Sequence, residues 1–117
     1  MENIQLGVIE SRFADIIWEN EPLSSSELAK RAEELLGWKK TTAFTVLKRL
    51  CNKGLFENNK GTVTSIIKRD EFYSGQSRQF VNDTFGGSLP AFIAAFTGNK
   101  KLTDDEVAAL KKLIEEN

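Results

Sequence analysis

The residues best suited to chemistry with another molecule lie between Trp38 and Gly54, in the segment WKKTTAFTVLKRLCNKG. A helical i, i+3, i+4, i+7 spacing there carries an apolar stripe of Ala43, Val46, Leu47 and Leu50. At about 100° per residue, the opposite side carries Thr41, Thr45, Lys48 and Asn52. Hydroxyl, amide and ammonium groups bind base edges and phosphates in a major groove. No acid occurs from Gly37 to Leu55, so the segment predicts a helix that binds nucleic acid.

Each candidate DNA-binding residue carries a hydroxyl, a cation, an amide or an aromatic ring. These residues are Lys39, Lys40, Thr41, Thr42, Phe44, Thr45, Lys48, Arg49, Asn52, Lys53 and Lys60. The threonines are expected to meet thymine methyls and oxygens of bases or phosphates, the alternative being plain exposed threonines. Arg49 has a second interpretation, an ion pair with an acid of the first two helices. Phe44 has two as well, a wedge against a thymine methyl or a partly buried packing residue.

The charge is unevenly distributed along a chain whose net charge is only −1. Residues 37–69 hold eight basic residues against the single acid Glu57, whereas residues 1–36 hold three basic residues against eight acids. Residues 70–117 hold five basic residues against eight acids. The cations are therefore concentrated where contact with a polyanion requires them.

Two amphipathic helices are predicted before this segment. The first covers about residues 5–19, ends before Pro22, and has as its inner side Leu6, Ile9, Phe13, Ile16 and Ile17. The second begins at a capping box of Ser24 and Glu27 and ends at Gly37. Its inner residues are predicted to be Leu28, Ala32, Leu35 and Leu36. Trp18 and Trp38 are interpreted as core anchors, and Cys51 as a small buried hydrophobe.

After Gly54 the pattern changes to two β-branched or aromatic runs around Asn58-Asn59-Lys60-Gly61, which predicts a β-hairpin. Three helices followed by a hairpin make a winged helix-turn-helix. Lys60 at the tip, with Lys68 and Arg69 at the exit, favours a phosphate contact by this wing. The alternative is an edge ribbon that only seals the core.

From Asp70 the chain is predicted to form three short helices, with Gly86-Gly87 and Gly98-Asn99 between them and a second capping box at Thr103 and Glu106. So small a unit does not readily bury its own apolar residues, which favours a dimerisation domain; the alternative is that it folds back on the first domain. The candidate dimerisation residues are Phe72, Phe80, Phe85, Leu89, Phe92, Ile93, Phe96, Val107, Leu110 and Ile114.

Catalysis has little support in the composition. The chain has no histidine, one cysteine and no phosphate-cradling glycine loop, so Ser-His and Cys-His arrangements and His-containing zinc sites are excluded. We expect no cofactor and no metal. The lone cysteine, the lack of a signal peptide and the lack of a long apolar run favour a cytoplasmic protein without membrane insertion.

In its order of motifs the chain resembles the BlaI/MecI penicillinase-repressor family, which has the CopY-type copper repressors as relatives. The residues that carry the resemblance are Ile16-Ile17-Trp18, Trp38, Thr42, Thr45, Leu47, Arg49, Leu50, Lys53-Gly54, Gly86-Gly87 and the closing Leu102-Thr103-x-x-Glu106-x-x-x-Leu110. The resemblance implies a homodimer that binds a palindromic operator of double-stranded DNA. It also implies repression of a β-lactamase or related resistance gene, relieved when a membrane sensor's protease pathway cuts the dimerisation domain.

The chain departs from the family pattern at three places. Lys39-Lys40-Thr41-Thr42 replaces the common Ser-Pro-Lys-Thr, and Phe44 falls where relatives tend to have Arg or Gln. The family's cleavable Asn–Phe bond corresponds here to Ala95-Phe96, the possible proteolytic site. The paired Cys-x-Cys motifs of the copper repressors are absent, which argues against metal sensing.

These observations predict a mainly α fold with a small β-hairpin (α+β). Residues 1–70 are expected to form a winged helix-turn-helix DNA-binding domain, and residues 71–117 a helical dimerisation domain. The expected function is that of a homodimeric, sequence-specific transcriptional repressor and not of an enzyme. The alternative function is a winged-helix adaptor that binds proteins and no DNA.

Overall fold

The computed structural model describes residues 5–117, which form six helices and three short strands. In chain order these are α1 (Val8–Asn20), β1 (Leu23–Ser24), α2 (Ser25–Leu36), α3 (Lys40–Asn52), β2 (Phe56–Asn59), β3 (Thr62–Ser65), α4 (Arg69–Phe85), α5 (Leu89–Phe96) and α6 (Asp104–Glu116). The chain divides into two compact units, a first unit of Met1–Gln76 and a second unit of Ser77–Asn117. The elements confirm the predicted α+β class with a small antiparallel sheet.

Helix α1 supplies the centre of the first unit's core, with Phe13, Ala14, Ile16 and Ile17 buried. It begins three residues later than predicted, because Gly7 is the extended residue before it and accepts the first helical bond from the Ser11 N–H. Ile9, predicted to face inward, is 48% exposed, so that assignment is wrong. The shorter helix leaves it in the first turn, beyond the edge of the core.

Helix α2 begins at Ser24, whose hydroxyl accepts the Glu27 N–H at 3.0 Å. Only this half of the predicted capping box forms, since the Glu27 carboxylate instead contacts Arg31 Nε at 3.2 Å. Leu35 is 66% exposed, so the predicted inner stripe is wrong there, and Ala29 is buried in addition to Leu28 and Ala32. Gly37 ends the helix in the left-handed conformation, at φ 70°.

The wing is the hairpin of β2 and β3. It belongs to a three-stranded antiparallel sheet in the order β1-β3-β2. Strands β2 and β3 pair with Asn59 opposite Thr62, which leaves Lys60 and Gly61 as a two-residue turn. Both turn residues have positive φ, as a type I′ hairpin turn requires. Strand β1 escaped sequence analysis because two residues carry no alternation; Leu23 pairs with Val63 and ties the start of α2 to the wing.

The two tryptophans anchor the first unit, as predicted. Trp38 stacks on Phe13 with the ring centroids 5.1 Å apart, and the Trp18 indole N–H donates to the Ile67 carbonyl at 3.0 Å. Trp18 also contacts Phe72, which is only 6% exposed. Assigning Phe72 to the dimerisation residues is therefore wrong, because it belongs to the first unit's own core.

The second unit has well-formed helix starts but little interior. Ser88 caps α5, and Thr103 and Glu106 form the predicted capping box of α6. Phe80, Phe85 and Phe92 make mutual edge-to-face ring contacts at 5.6–5.9 Å. Across residues 77–117, all of which the structure describes, no side chain is classed as buried.

Candidate nucleic-acid interface

Helix α3 presents the predicted polar side to solvent. Its stripe of Ala43, Val46, Leu47 and Leu50 is buried as predicted, which fixes the rotation of the helix about its axis. The exposed residues of this segment, called here the recognition face, are Lys39, Lys40, Thr41, Thr42, Phe44, Thr45, Lys48, Arg49 and Asn52. The structure thus brings nine of the eleven predicted site residues onto one surface, while Lys53 is half-buried beside it and Lys60 lies on the wing.

One hydroxyl of the recognition face is already engaged. Thr45 Oγ1 donates to the Thr41 carbonyl at 2.8 Å. This bond uses the single proton of that hydroxyl and leaves its lone pairs free to accept. Thr45 can therefore receive a hydrogen bond from a base or present its methyl group, but it donates only when the helical bond breaks.

Two cations are tied to the first turn of α1 and to the segment before it. Arg49 Nη1 lies 3.2 Å from Glu10 Oε2, and Lys53 Nζ donates to the Gln5 carbonyl at 3.3 Å. The second interpretation of Arg49, a pair with an acid of the first helices, is thus the one formed in this structure. An exposed pair of this kind stabilises a protein by only about 0–1 kcal/mol, so a phosphate can replace Glu10 at small cost.

The other cations of the site are not engaged. Within the described residues 5–117, no ion pair or side-chain hydrogen bond involves Lys39, Lys40, Lys48 or Lys60. Their charges are exposed on the recognition face and at the wing tip, where no acid neutralises them directly. These four ammonium groups are therefore the cations of the site that are most available to attract a polyanion.

The wing carries its cation in a conformation that side chains rarely adopt. Lys60 has φ 52°, in the left-handed region where glycine or asparagine is usual. Lys68 and Arg69, predicted to serve the wing, instead contact Glu21 at 3.4 Å and Asp15 at 3.4 Å. Of the three wing cations, the one at the tip is free of an acidic partner.

A polar cluster fastens the wing to the turn after α1. Glu21 accepts the Ser65 N–H at 2.9 Å and the Ser65 hydroxyl at 2.7 Å, while Lys68 Nζ lies 3.4 Å from the same carboxylate. Burial by itself raises the pKa of Glu21, but these hydrogen bonds and the ammonium of Lys68 together lower it below the ordinary 4.5. The carboxylate therefore stays charged and holds β3 in place at neutral pH.

Three further features of the described residues bear on function. Burial raises the pKa of the half-buried Cys51 thiol, with Glu57 adding to the effect against a hydrogen bond from Asn58, so the thiol stays protonated and packs on the core as predicted. Among residues 5–117 no cluster of three or more acidic or thiol side chains is placed to hold a metal ion. In the same part of the chain, no helix has the length and apolarity to span a membrane.

The acids Glu10, Asp15 and Glu21 are the site residues that sequence analysis missed. Each engages a basic residue or the wing from far along the chain. The acidic character of residues 1–36 was visible in the sequence, but no local pattern indicated which carboxylate meets which cation. The pairing depends on how α1 crosses the other elements.

Three helices and a hairpin, with the third helix exposing a cationic and hydroxylic face beside the hairpin, define a winged-helix protein. Comparison with known sequences agrees and goes further. The sequence model of the family described as "Penicillinase repressor" matches residues 6–116. The chain is 26% identical to the penicillinase repressor of Bacillus licheniformis, over 97% of this chain and 91% of that protein.

Other relatives carry a second name. The methicillin resistance regulatory protein MecI of Staphylococcus aureus is 21% identical, over 94% of this chain and 93% of its own length, and MecI of Mammaliicoccus sciuri is 20% identical over the same shares. Because the family model spans nearly the whole chain, the protein belongs to the penicillinase repressor family. It is a transcriptional repressor of this family and not an enzyme.

Proposed function

We propose that the protein represses transcription as a homodimer that binds a palindromic DNA operator through helix α3 of each subunit. The observation that carries the proposal is the recognition face, where exposed lysines and threonines lie together on a helix without a single acid. In a major groove such a helix places its central residues against base edges and its cations against phosphates. The wing lies beside it, with Lys60 directed to the backbone of the same duplex.

The two classes of residue have different roles. Thr41, Thr42, Thr45 and Asn52 contact bases and supply sequence preference, because their short groups reach only what lies directly in front of them. Lys39, Lys40 and Lys48 neutralise phosphates and supply affinity without preference. Arg49 and Lys53 join them once DNA replaces Glu10 and the Gln5 carbonyl as their partners.

The second unit supplies the symmetry. Phe80, Leu89, Phe96, Leu113 and Ile114 are all more than half exposed, and a second copy of the chain covers them. Pairing these surfaces removes apolar area from water and yields the two-fold arrangement of most homodimers. Two α3 helices related in this way bind half-sites about one helical turn apart, roughly 34–36 Å.

The relatives' names extend the proposal to the regulated gene. They describe a penicillinase repressor and a methicillin resistance regulatory protein, so we propose that this chain controls a β-lactamase or related resistance gene.

Release by a sensor-protease pathway would require cleavage at Ala95-Phe96, two exposed residues in the last turn of α5. Cleavage there separates α6 from the Phe80–Phe85–Phe92 ring cluster and so disrupts the pairing surface. Mass spectrometry of the repressor recovered from induced cells tests this step: fragments ending at Ala95 support it, and an intact chain contradicts it.

A salt titration tests DNA binding itself. Binding of the full chain to duplex DNA should weaken log-linearly with salt, and Lys48→Ala should reduce the slope by about 0.9 per subunit. Lys100→Ala is the matched control, because Lys100 is an exposed lysine of the second unit, outside the recognition face. An adaptor without DNA binding would show little affinity and no log-linear dependence.

A pair of variants tests the division of roles. Thr45→Ala should reduce the difference in affinity between a selected duplex and a random one, whereas Lys48→Ala should weaken binding to both duplexes by the same factor. Equal losses on both duplexes for both variants would contradict the assignment of bases to threonine and phosphates to lysine.

A further inference from the structure

The recognition face contains one large apolar side chain among its polar ones. Phe44 is 43% exposed and lies at the flank of the buried apolar stripe of α3. It is not among the partly buried hydrophobic residues that pack on the first unit's core. Within the described residues its ring makes no contact with another aromatic ring, unlike Trp38 nearby. With 43% of its surface in solvent, the ring stays accessible to a ligand.

The neighbours of Phe44 on the helix surface favour a role at DNA. Lys40 and Lys48 lie four residues before and after it, one turn away in each direction, and neither has an acidic partner in the described part of the chain. When both ammonium groups contact phosphates, the ring between them is held at the level of the base edges. A single exposed hydrophobic residue is ordinary on a protein surface, but one placed between two unpaired cations is not explained by folding.

The chemistry of the major groove narrows what Phe44 can contact. Its ring offers no hydrogen-bond donor or acceptor, and the hydroxyl proton of the adjacent Thr45 is used by the Thr41 carbonyl at 2.8 Å. Neither of these two side chains therefore supplies the donor that guanine O6 and N7 require. The one apolar group that a base pair presents in the major groove is the 5-methyl group of thymine.

We infer that Phe44 contacts a thymine 5-methyl group in each half-site, so that the operator contains a thymine at a position fixed by this residue. The inference rests on the DNA binding proposed above and adds the identity of one base. Burial of a methyl group against the ring is expected to strengthen binding about fourfold per contact. With two subunits on a symmetric site, the effect is about 16-fold.

The experiment removes the methyl group and nothing else. A duplex is selected from a randomised pool by the full-length protein, and each symmetric pair of thymines is then replaced by deoxyuridine. The wild-type protein should lose about 16-fold in affinity at one pair. Phe44→Ala should bind the thymine duplex more weakly and should bind the thymine and uracil forms of that pair equally well.

Two further variants make the result specific. Phe44→Leu, which keeps an apolar side chain, should retain part of the preference for thymine over uracil. Leu35→Ala, which shortens an exposed hydrophobic residue on α2, should retain all of it. Circular dichroism melting of each variant verifies that the fold is unchanged, as expected for exposed positions.

Several results would overturn the inference. These are a wild-type protein insensitive to every uracil replacement, a Phe44→Ala variant that keeps the wild-type sensitivity, and a selection that enriches no sequence. With either of the first two results, an enriched sequence and binding that weakens log-linearly with salt leave the proposed operator binding intact, whereas a selection that enriches no sequence contradicts operator binding as well. Absence of any salt-dependent binding would contradict the proposed function itself.

Discussion

The two units of this chain differ in how completely they bury their own apolar residues. In the first unit, Phe13, Phe56 and Ile17 are fully buried and two tryptophans cover the core. In the second, α5 and α6 both begin at a side-chain cap, yet Leu113 and Ile114 are 65% and 74% exposed. Helix caps and periodicity act locally, whereas burial needs enough chain to enclose a volume. This difference supports the proposal that a second copy of the chain completes the second unit, whereas the first unit encloses a core of its own.

The largest effect is expected from the core of the first unit. Phe13→Ala removes a ring that is fully buried and stacked on Trp38, so unfolding of the first unit should become about 3–5 kcal/mol easier. Urea denaturation followed by tryptophan fluorescence measures the change, because Trp18 and Trp38 both lie in the first unit. Because this core lies within one chain, the loss of free energy of unfolding should not depend on protein concentration. A dependence on concentration would contradict the difference described between the two units.

The next effect belongs to the second unit. Phe92 contacts Phe80, Phe85 and Phe96, so Phe92→Ala should disturb the ring cluster and weaken dimerisation by at least about 30-fold. Sedimentation equilibrium measures the dissociation constant. Leu35→Ala, at an exposed leucine of the first unit, should leave that constant unchanged. A wild-type chain that is monomeric at all concentrations would show that the second unit needs no second copy.

A smaller effect is expected at the Glu21 carboxylate, which fastens the wing to the turn after α1. Glu21→Gln removes the carboxylate that accepts from Ser65, and should lower the free energy of unfolding by about 1–2 kcal/mol at pH 7. The folded-state pKa of Glu21 lies below 4.5, so its stabilisation is fully present above that pH and is lost as pH falls through the folded value. Wild type and variant should therefore converge in acid. A constant difference down to pH 2 would contradict this account.

The smallest effect concerns Lys60, which among the described residues 5–117 is the one non-glycine residue with positive φ. Lys60→Gly relieves the positive φ and should stabilise the first unit by about 0.5–1 kcal/mol, measured by thermal denaturation. The same substitution removes the wing-tip cation, so DNA affinity should fall. Higher stability combined with lower DNA affinity would indicate a wing that contacts DNA, as opposed to an edge ribbon that only covers the core. Higher stability with unchanged affinity would favour the edge ribbon.

Much of the fold followed from local sequence. The helix stripe of α3, the cap at Ser24, the capping box of Thr103 and the turn at Lys60-Gly61 were all predictable, because each depends on residues within a few positions of one another. The same is true of the exposure of the α3 polar side, which follows from the rotation of one amphipathic helix. The errors at Ile9, Leu35 and Phe72 share a different cause. Periodicity identifies a face of a helix, but only packing decides where the core along that face ends.

The candidate site divides in the same way. Sequence spacing alone grouped the threonines and lysines of α3, since they share one helix. Only the tertiary structure decided which cations are available: Arg49 meets Glu10 from 39 residues away, and Lys53 meets the Gln5 carbonyl from 48. It also decided that β1 pairs with β3 and that the Phe44 ring stays partly exposed. Local sequence patterns determine which side chains share a face of a helix or strand. The packing of elements distant in the chain determines which of those side chains remain free to bind a ligand.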